Sequence, residues 1–203
     1  MIRPATCSFV AVLLSCGVVS AGTIDTEFLE DPWPKQTVRR FEVGRHEVQW
    51  RQRANRRDGV FVGVTFLAPL NQQAVWEKIR DFSDIGRMTP GVTAVRFLED
   101  TPVRQVIQLD VKVLWKSLQL TFEVEQDPPQ AIRFRLNNDF LGQYWGLCRL
   151  EDAPQGTAME LATWLKPSRP IPTSLLLLVE RKVFLDGVRN FLEECERHPQ
   201  SNQ

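Results

Sequence analysis

The sequence predicts an α+β fold in which a curved antiparallel sheet of about six or seven strands wraps around one long C-terminal helix. Three observations carry this. Apolar and polar residues alternate in run after run between Val60 and Leu165, the period of a strand with two unlike faces. One long amphipathic stretch, about Leu175 to Arg197, closes the chain. Between the first strand and the rest lies Ala74 to Asp100, which reads as an amphipathic helix, a short second helix, a Pro-Gly turn and a strand.

The organising helix is justified residue by residue. Val75, Ile79 and Phe82 recur at helical spacing with Trp76 beside them, so one face is apolar. Asn71 stands at the N-cap position, and Leu70 and Val75 are placed as a hydrophobic staple around it. The helix is expected to end near Phe82. Ser83 to Met88 then forms a second short helix or a turn, and Pro90-Gly91 stops it.

His46 to Gln52 alternates weakly, Asp58-Gly59 is a turn signal, and Val60 to Phe66 is rich in β-branched and aromatic residues. Thr93 to Leu98 is the next strand. In Val103 to Val113 the apolar face is Val103, Ile107, Leu109, Val111 and Val113, with Gln105 as its polar exception. Leu118, Leu120, Phe122 and Val124 form the apolar face of the following run. Ile132, Phe134 and Leu136 form that of the next. Such alternation means antiparallel sheet with one wet face. Trp115-Lys116-Ser117 and Asp127-Pro128-Pro129 are the connections. Gly142 to Leu150 and Thr157 to Leu165 are the last strands, joined around Pro154-Gln155-Gly156. For Gly142 to Leu150 two phases stay open: either Trp145 and Leu147 point inward, or Tyr144, Gly146 and Cys148 do. The proline-rich Lys166 to Pro172 is neither helix nor central strand. Thr173 or Ser174 then caps the last helix, whose stripe is Leu177, Phe184, Val188, Phe191 and Cys195.

The ends of the 203-residue chain are read separately. Arg3, the apolar run Cys7 to Val19 and the small residues Val19-Ser20-Ala21 form an export signal over 1–21, cleaved near Ala21. The run is short for a bilayer span. An uncleaved anchor and lipoprotein processing at Cys16 are the alternatives. Residues 22–45 are a lead-in, expected to be partly ordered at best. Residues 46–197 are the domain and 198–203 a polar tail. The whole chain balances 25 basic against 25 acidic residues, so no global field recruits nucleic acid. Without 1–21 the net charge is −1. The run Arg39, Arg40, Arg45, Arg51, Arg53, Arg56 and Arg57 is either a contact for anionic lipid headgroups or a solvated edge.

Catalytic chemistry finds little support. The two histidines, His46 and His198, are not placed to serve a nucleophile. No metal-ligand cluster, phosphate loop or cofactor motif occurs. Asp81, Asp84 and Arg87 could do acid–base work, or could be a cap and a surface ion pair. Of the four cysteines, Cys148 and Cys195 follow the export signal. They are either a disulfide or two inert buried thiols.

Ala68-Pro69, Ala74-Val75-Trp76, Asp81-Phe82, Thr89-Pro90-Gly91-Val92, Gly156-Thr157 and Ile171-Pro172 together resemble the START-like (SRPBCC) superfamily over about 46–197. This is the helix-grip fold, and the branch resembled is described as polyketide cyclase/dehydrase or coenzyme Q-binding. The resemblance implies a hydrophobic cavity between the sheet and the last helix. Expected lining residues are Leu120, Phe122, Phe134, Met159, Leu177 and Phe184, with Met88 at a lid over Ile85 to Pro90. The alternative is a solid core of the same side chains. Gln105 either fixes a ligand head group or pairs with a neighbouring residue such as Thr163. The expected function is binding of an apolar small molecule or lipid without transforming it, with peripheral contact to a membrane surface. A cyclase/dehydratase and a cavity-free interaction module are the rivals.

Overall fold

The computed structural model describes residues 24–30, 36–55, 59–84, 91–113, 116–138 and 142–197. The expected export signal, the Asp31 to Pro34 piece, Arg56 to Asp58, the lid with Met88 and Arg87, Trp115 and the tail with His198 lie outside these residues.

The elements are α1 (Glu27–Glu30), β1 (Thr37–Val43), β2 (His46–Asn55), β3 (Gly59–Ala68), α2 (Gln72–Ile79), a 3-10 turn (Phe82–Asp84), β4 (Val92–Asp100), β5 (Arg104–Val113), β6 (Lys116–Asp127), β7 (Ala131–Asn138), β8 (Gly142–Ala153), β9 (Gly156–Lys166) and α3 (Thr173–Arg197). The nine strands form one antiparallel sheet in the order β1-β2-β3-β9-β8-β7-β6-β5-β4. α3 crosses its concave face, packing most extensively on β3 and also on β1 and β2. This is the helix-grip arrangement expected from sequence.

The sheet has more strands than the six or seven expected. The main addition is β1, drawn from the stretch read as lead-in. It pairs with β2 from Thr37↔Gln52 to Val43↔His46, and the hairpin turns at Gly44 with φ 63°, where glycine's missing Cβ removes the strain. β1 is an edge strand exposed along most of its length, so it carries no apolar alternation to read.

α2 is capped as expected. The Asn71 side chain accepts from the Ala74 N–H at 2.8 Å, and Leu70 and Val75 are both buried. The helix ends at Ile79 rather than near Phe82. The Thr157 hydroxyl, fully buried on β9, donates to the Leu70 carbonyl at 2.7 Å and ties the start of α2 to the sheet. α3 begins at Thr173, earlier than expected, and the Pro172 carbonyl accepts from the N–H groups of Leu175 and Leu176.

The convex face corrects the expectation of one wet side. Leu29 of α1 is fully buried there against Ala131, Leu147 and Ala162, with Phe61, Trp145 and Trp164 packed around them. Phe28 meets Trp164 edge-on at 5.7 Å and Trp145 at 6.4 Å. The Ile24 N–H donates to Glu125 at 2.8 Å. The lead-in thus straps an aromatic patch that would otherwise face water. Trp145 and Leu147 point to this side, so Tyr144, Gly146 and Cys148 face α3.

Candidate functional site

The buried residues of α3 all lie in its second half: Val188, Phe191, Leu192 and Cys195. Phe191 packs on Phe66 of β3, with ring centres 6.2 Å apart. The first half stands further out, with Leu175, Leu178, Val179 and Val183 exposed. Between the middle of α3, Val183 to Val188, and β7–β9 lies a cavity of about 170 Å³. Its apolar walls include Phe134, Leu161, Val183, Phe184 and Val188. Glycine shapes it from below. A Cβ on Gly146 would stand 1.9 Å from the Phe134 ring, so that ring lies directly on the β8 backbone. Phe122 and Tyr144 flank the same ring, with centres 6.0 and 5.8 Å away. A second hollow of about 360 Å³, among Gln72, Asp127, Gln130, Arg133, Arg149 and Asp152 at the turn end, is lined mainly by polar side chains.

The polar side chains among its lining residues are Tyr144 and Thr163, and Glu180 of α3, which does not line it, stands beside them. Gly146 pairs with Thr163 and Tyr144 with Leu165, so Tyr144 and Thr163 are diagonal neighbours on the concave face. Glu180 comes from α3, three residues after Leu177 and four before Phe184, which puts it on the same helix face. Both hydroxyls hydrogen-bond its carboxyl. Burial pushes the Glu180 carboxyl up to about 7, and the two hydrogen bonds only partly oppose the shift. Burial, with the Glu180 charge beside it, also holds the Tyr144 hydroxyl well above its ordinary range. A carboxyl poised near neutrality can donate or accept a proton under physiological conditions.

The expected lining residues divide. Phe134 and Phe184 line the cavity, and Phe122 buttresses Phe134. Leu120 and Met159 are buried, and Leu177 packs half-buried against the core; none of the three borders the cavity. Gln105 is buried but occupied. Its amide N–H donates to Asp100 at 2.7 Å, and its carbonyl accepts from Gln126 at 2.9 Å. It pairs within its own edge of the sheet, on β5, while Thr163 lies four strands away on β9.

Asp81 accepts from the Ser83 N–H at 2.9 Å, as a cap does. Cys148 and Cys195 are free, buried thiols, and burial pushes them up to about 12 and about 11. In the arginine run, Arg40 pairs with Glu47, Arg51 pairs with Glu160, and Arg53 lies over the Phe61 ring. No group of metal-ligating side chains occurs among the described residues.

Glu180 and Tyr144 were not singled out from sequence. The signal for Glu180 was a gap. The stripe Leu177, Phe184, Val188 leaves one helical turn unfilled, and the residue that fills it is an acid.

Solved structures share this fold. A STAR-related lipid transfer protein from Xanthomonas axonopodis superposes with a TM-score of 0.64 at 16% identity, covering 79% of this chain and 99% of that one. An aromatase/cyclase from a Streptomyces species gives 0.59 at 22% identity, covering 70% and 96%. A START superfamily protein from Mycobacterium smegmatis gives 0.56 at 14%, covering 66% and 97%. No curated protein matches the chain in sequence. Residues 68–192, running from the end of β3 into the second half of α3, match the family described as polyketide cyclase / dehydrase and lipid transport, and the chain belongs to that family.

Proposed function

We propose that this protein binds an apolar small molecule, or one segment of a lipid, in the cavity between α3 and β7–β9. The observation that carries this reading is a mainly apolar space between the middle of α3 and the sheet, with the Tyr144 and Thr163 hydroxyls among its lining residues. About 170 Å³ is comparable to the ~150 Å³ cavity that accepts benzene. The site therefore suits one ring or a short alkyl segment. Binding draws on burial at roughly 25 cal/mol per Å² of apolar surface. Native mass spectrometry of protein purified from its own host without detergent, followed by organic extraction, tests it. A near-stoichiometric apolar ligand supports the reading; an empty protein that also takes up no phenethyl alcohol refutes it.

A second reading, a cyclase- or dehydratase-like enzyme, is favoured by Glu180, whose carboxyl titrates near neutrality beside the Tyr144 hydroxyl. It requires that Glu180→Gln abolish turnover of a poly-β-ketone substrate while leaving binding in place.

Export is the compartment we propose, supported by the Cys7 to Val19 run before Ala21. N-terminal sequencing of protein from its host tests it, and a chain starting at Met1 refutes cleavage. Peripheral membrane contact is supported by Leu175, Leu178, Val179 and Val183, which are exposed on α3. Failure to co-sediment with anionic vesicles counts against it.

A further inference from the structure

We infer that Gly187 sets the length of ligand this protein accepts: its missing side chain leaves a gap in the α3 wall of the cavity, through which an apolar chain attached to the buried body of the ligand runs out onto the helix surface. The inference rests on the cavity being the ligand site, and it names the residue that decides ligand length there.

Glycine is a poor residue for a helix interior, because it loses the most backbone freedom on folding. Gly187 is the one glycine of α3 and stands well inside it. The usual reasons for a glycine are absent. Its φ is not left-handed, unlike that of Gly44, and a Cβ added to it meets nothing within 4 Å among the described residues, unlike one on Gly146. Alanine would therefore fit without displacing a neighbour and would suit the helix better. A local rule broken without a steric cause marks a candidate functional position.

The cavity supplies the cause. α3 borders it through Val183, Phe184, Gly187 and Val188. Val183 is 40% exposed and Val188 2%, so this wall runs from the surface to the core. Gly187 stands between the two, one residue before Val188 and one helical turn after Val183. Leu175, Val179, Val183 and Gly187 recur every four residues and form one ridge along the helix. The three side chains before the glycine are apolar and exposed, and the ridge reaches the cavity at the position that has no side chain. A space of about 170 Å³ holds one ring, so a longer ligand needs an exit. An apolar chain leaving past Gly187 meets Val183 and then Val179, which remove part of its surface from water.

Isothermal titration of the full protein with phenethyl alcohol and 6-phenylhexanol, which share a ring and a hydroxyl and differ only in chain length, tests this. Full burial of a CH2 group is worth roughly fourfold in affinity, and half-burial on the exposed ridge about twofold, so the longer probe should bind at least about tenfold tighter. Gly187→Leu should cancel that gain while phenethyl alcohol still binds. Gly187→Ala should reduce the gain and raise the urea midpoint, since alanine favours the helix. A longer probe that binds no tighter than phenethyl alcohol, or a gain that survives Gly187→Leu, overturns this inference and leaves the cavity reading standing. Loss of both probes in Gly187→Leu also overturns it, because the position would then close the cavity itself and not its exit. Uptake of neither probe by the wild type overturns both readings. A lower urea midpoint in Gly187→Ala would mean that packing requires the glycine, which removes the gap. If Gly187→Leu does not fold, Gly187→Ala decides, and an undiminished gain there overturns the proposal.

Discussion

Replacing Gly146 with alanine should close the cavity at modest cost to the fold. The added Cβ would stand 1.9, 2.3 and 2.4 Å from three atoms of the Phe134 ring. To regain the ~3.5 Å spacing of carbon atoms in contact, the ring must retreat by about 1.6 Å from its nearest approach. It has somewhere to go, because Phe134 borders a cavity of about 170 Å³. Moving into that space relieves the clash and consumes the volume a ligand would fill. Overpacking of this kind costs about 1–3 kcal/mol, and the available cavity places Gly146→Ala toward the low end. Urea unfolding reads the stability, and titration with phenethyl alcohol reads the site. The expected result is a loss of about 1 kcal/mol with binding reduced at least tenfold. A double-mutant cycle with Phe134→Leu isolates the cause. If the Phe134 ring is what the Cβ meets, the two changes couple by about 0.5–3 kcal/mol. Additive effects, or unchanged ligand binding in Gly146→Ala, would refute the argument.

The remaining expectations concern acid, strap and thiols. The folded carboxyl of Glu180 titrates near about 7, above its ordinary value, so between the two values the folded state holds a proton that the unfolded state has lost. Stability should therefore fall as pH rises through that window, by at most about 3 kcal/mol; urea midpoints at mildly acidic and mildly alkaline pH should converge in Glu180→Gln. Leu29→Ala removes a fully buried side chain from the convex patch and should cost about 2–5 kcal/mol. A red shift of tryptophan fluorescence is expected as Trp145 and Trp164 gain water, and an unshifted spectrum would mean that α1 does not cover them. Cys148 and Cys195, pushed up to about 12 and about 11 by burial, should resist alkylation in the native protein and react fully in denaturant. Peptide mapping that finds them joined would refute two free thiols.

Much of the fold was legible because its information is local. The strands β5, β6 and β7 each have one face on the core and one in water, so Ile107-Leu109, Leu120-Phe122-Val124 and Ile132-Phe134-Leu136 read correctly from period two alone. The Asn71 cap and the α3 stripe are set by backbone geometry within one helix. β1 was not legible, since an exposed edge strand has no apolar face to alternate. The phase of β8 was not legible either. Trp145 and Leu147 pack under α1 while Tyr144 and Cys148 face α3, and a strand that is apolar on both sides loses its period.

By itself, then, the sequence determined the elements, their order and the apolar surfaces that oblige the helix to lie across the sheet, because each depends on residues close together in the chain. Only the tertiary structure decided where that contact stops short and leaves a cavity. Only it brought Tyr144 and Thr163, on two different strands, to Glu180 on α3. In the linear chain Glu180 is one charge beside Arg181 and Lys182. It becomes a group poised near neutrality because folding removes its water and supplies two hydroxyls without a counter-charge, and no local pattern encodes that environment.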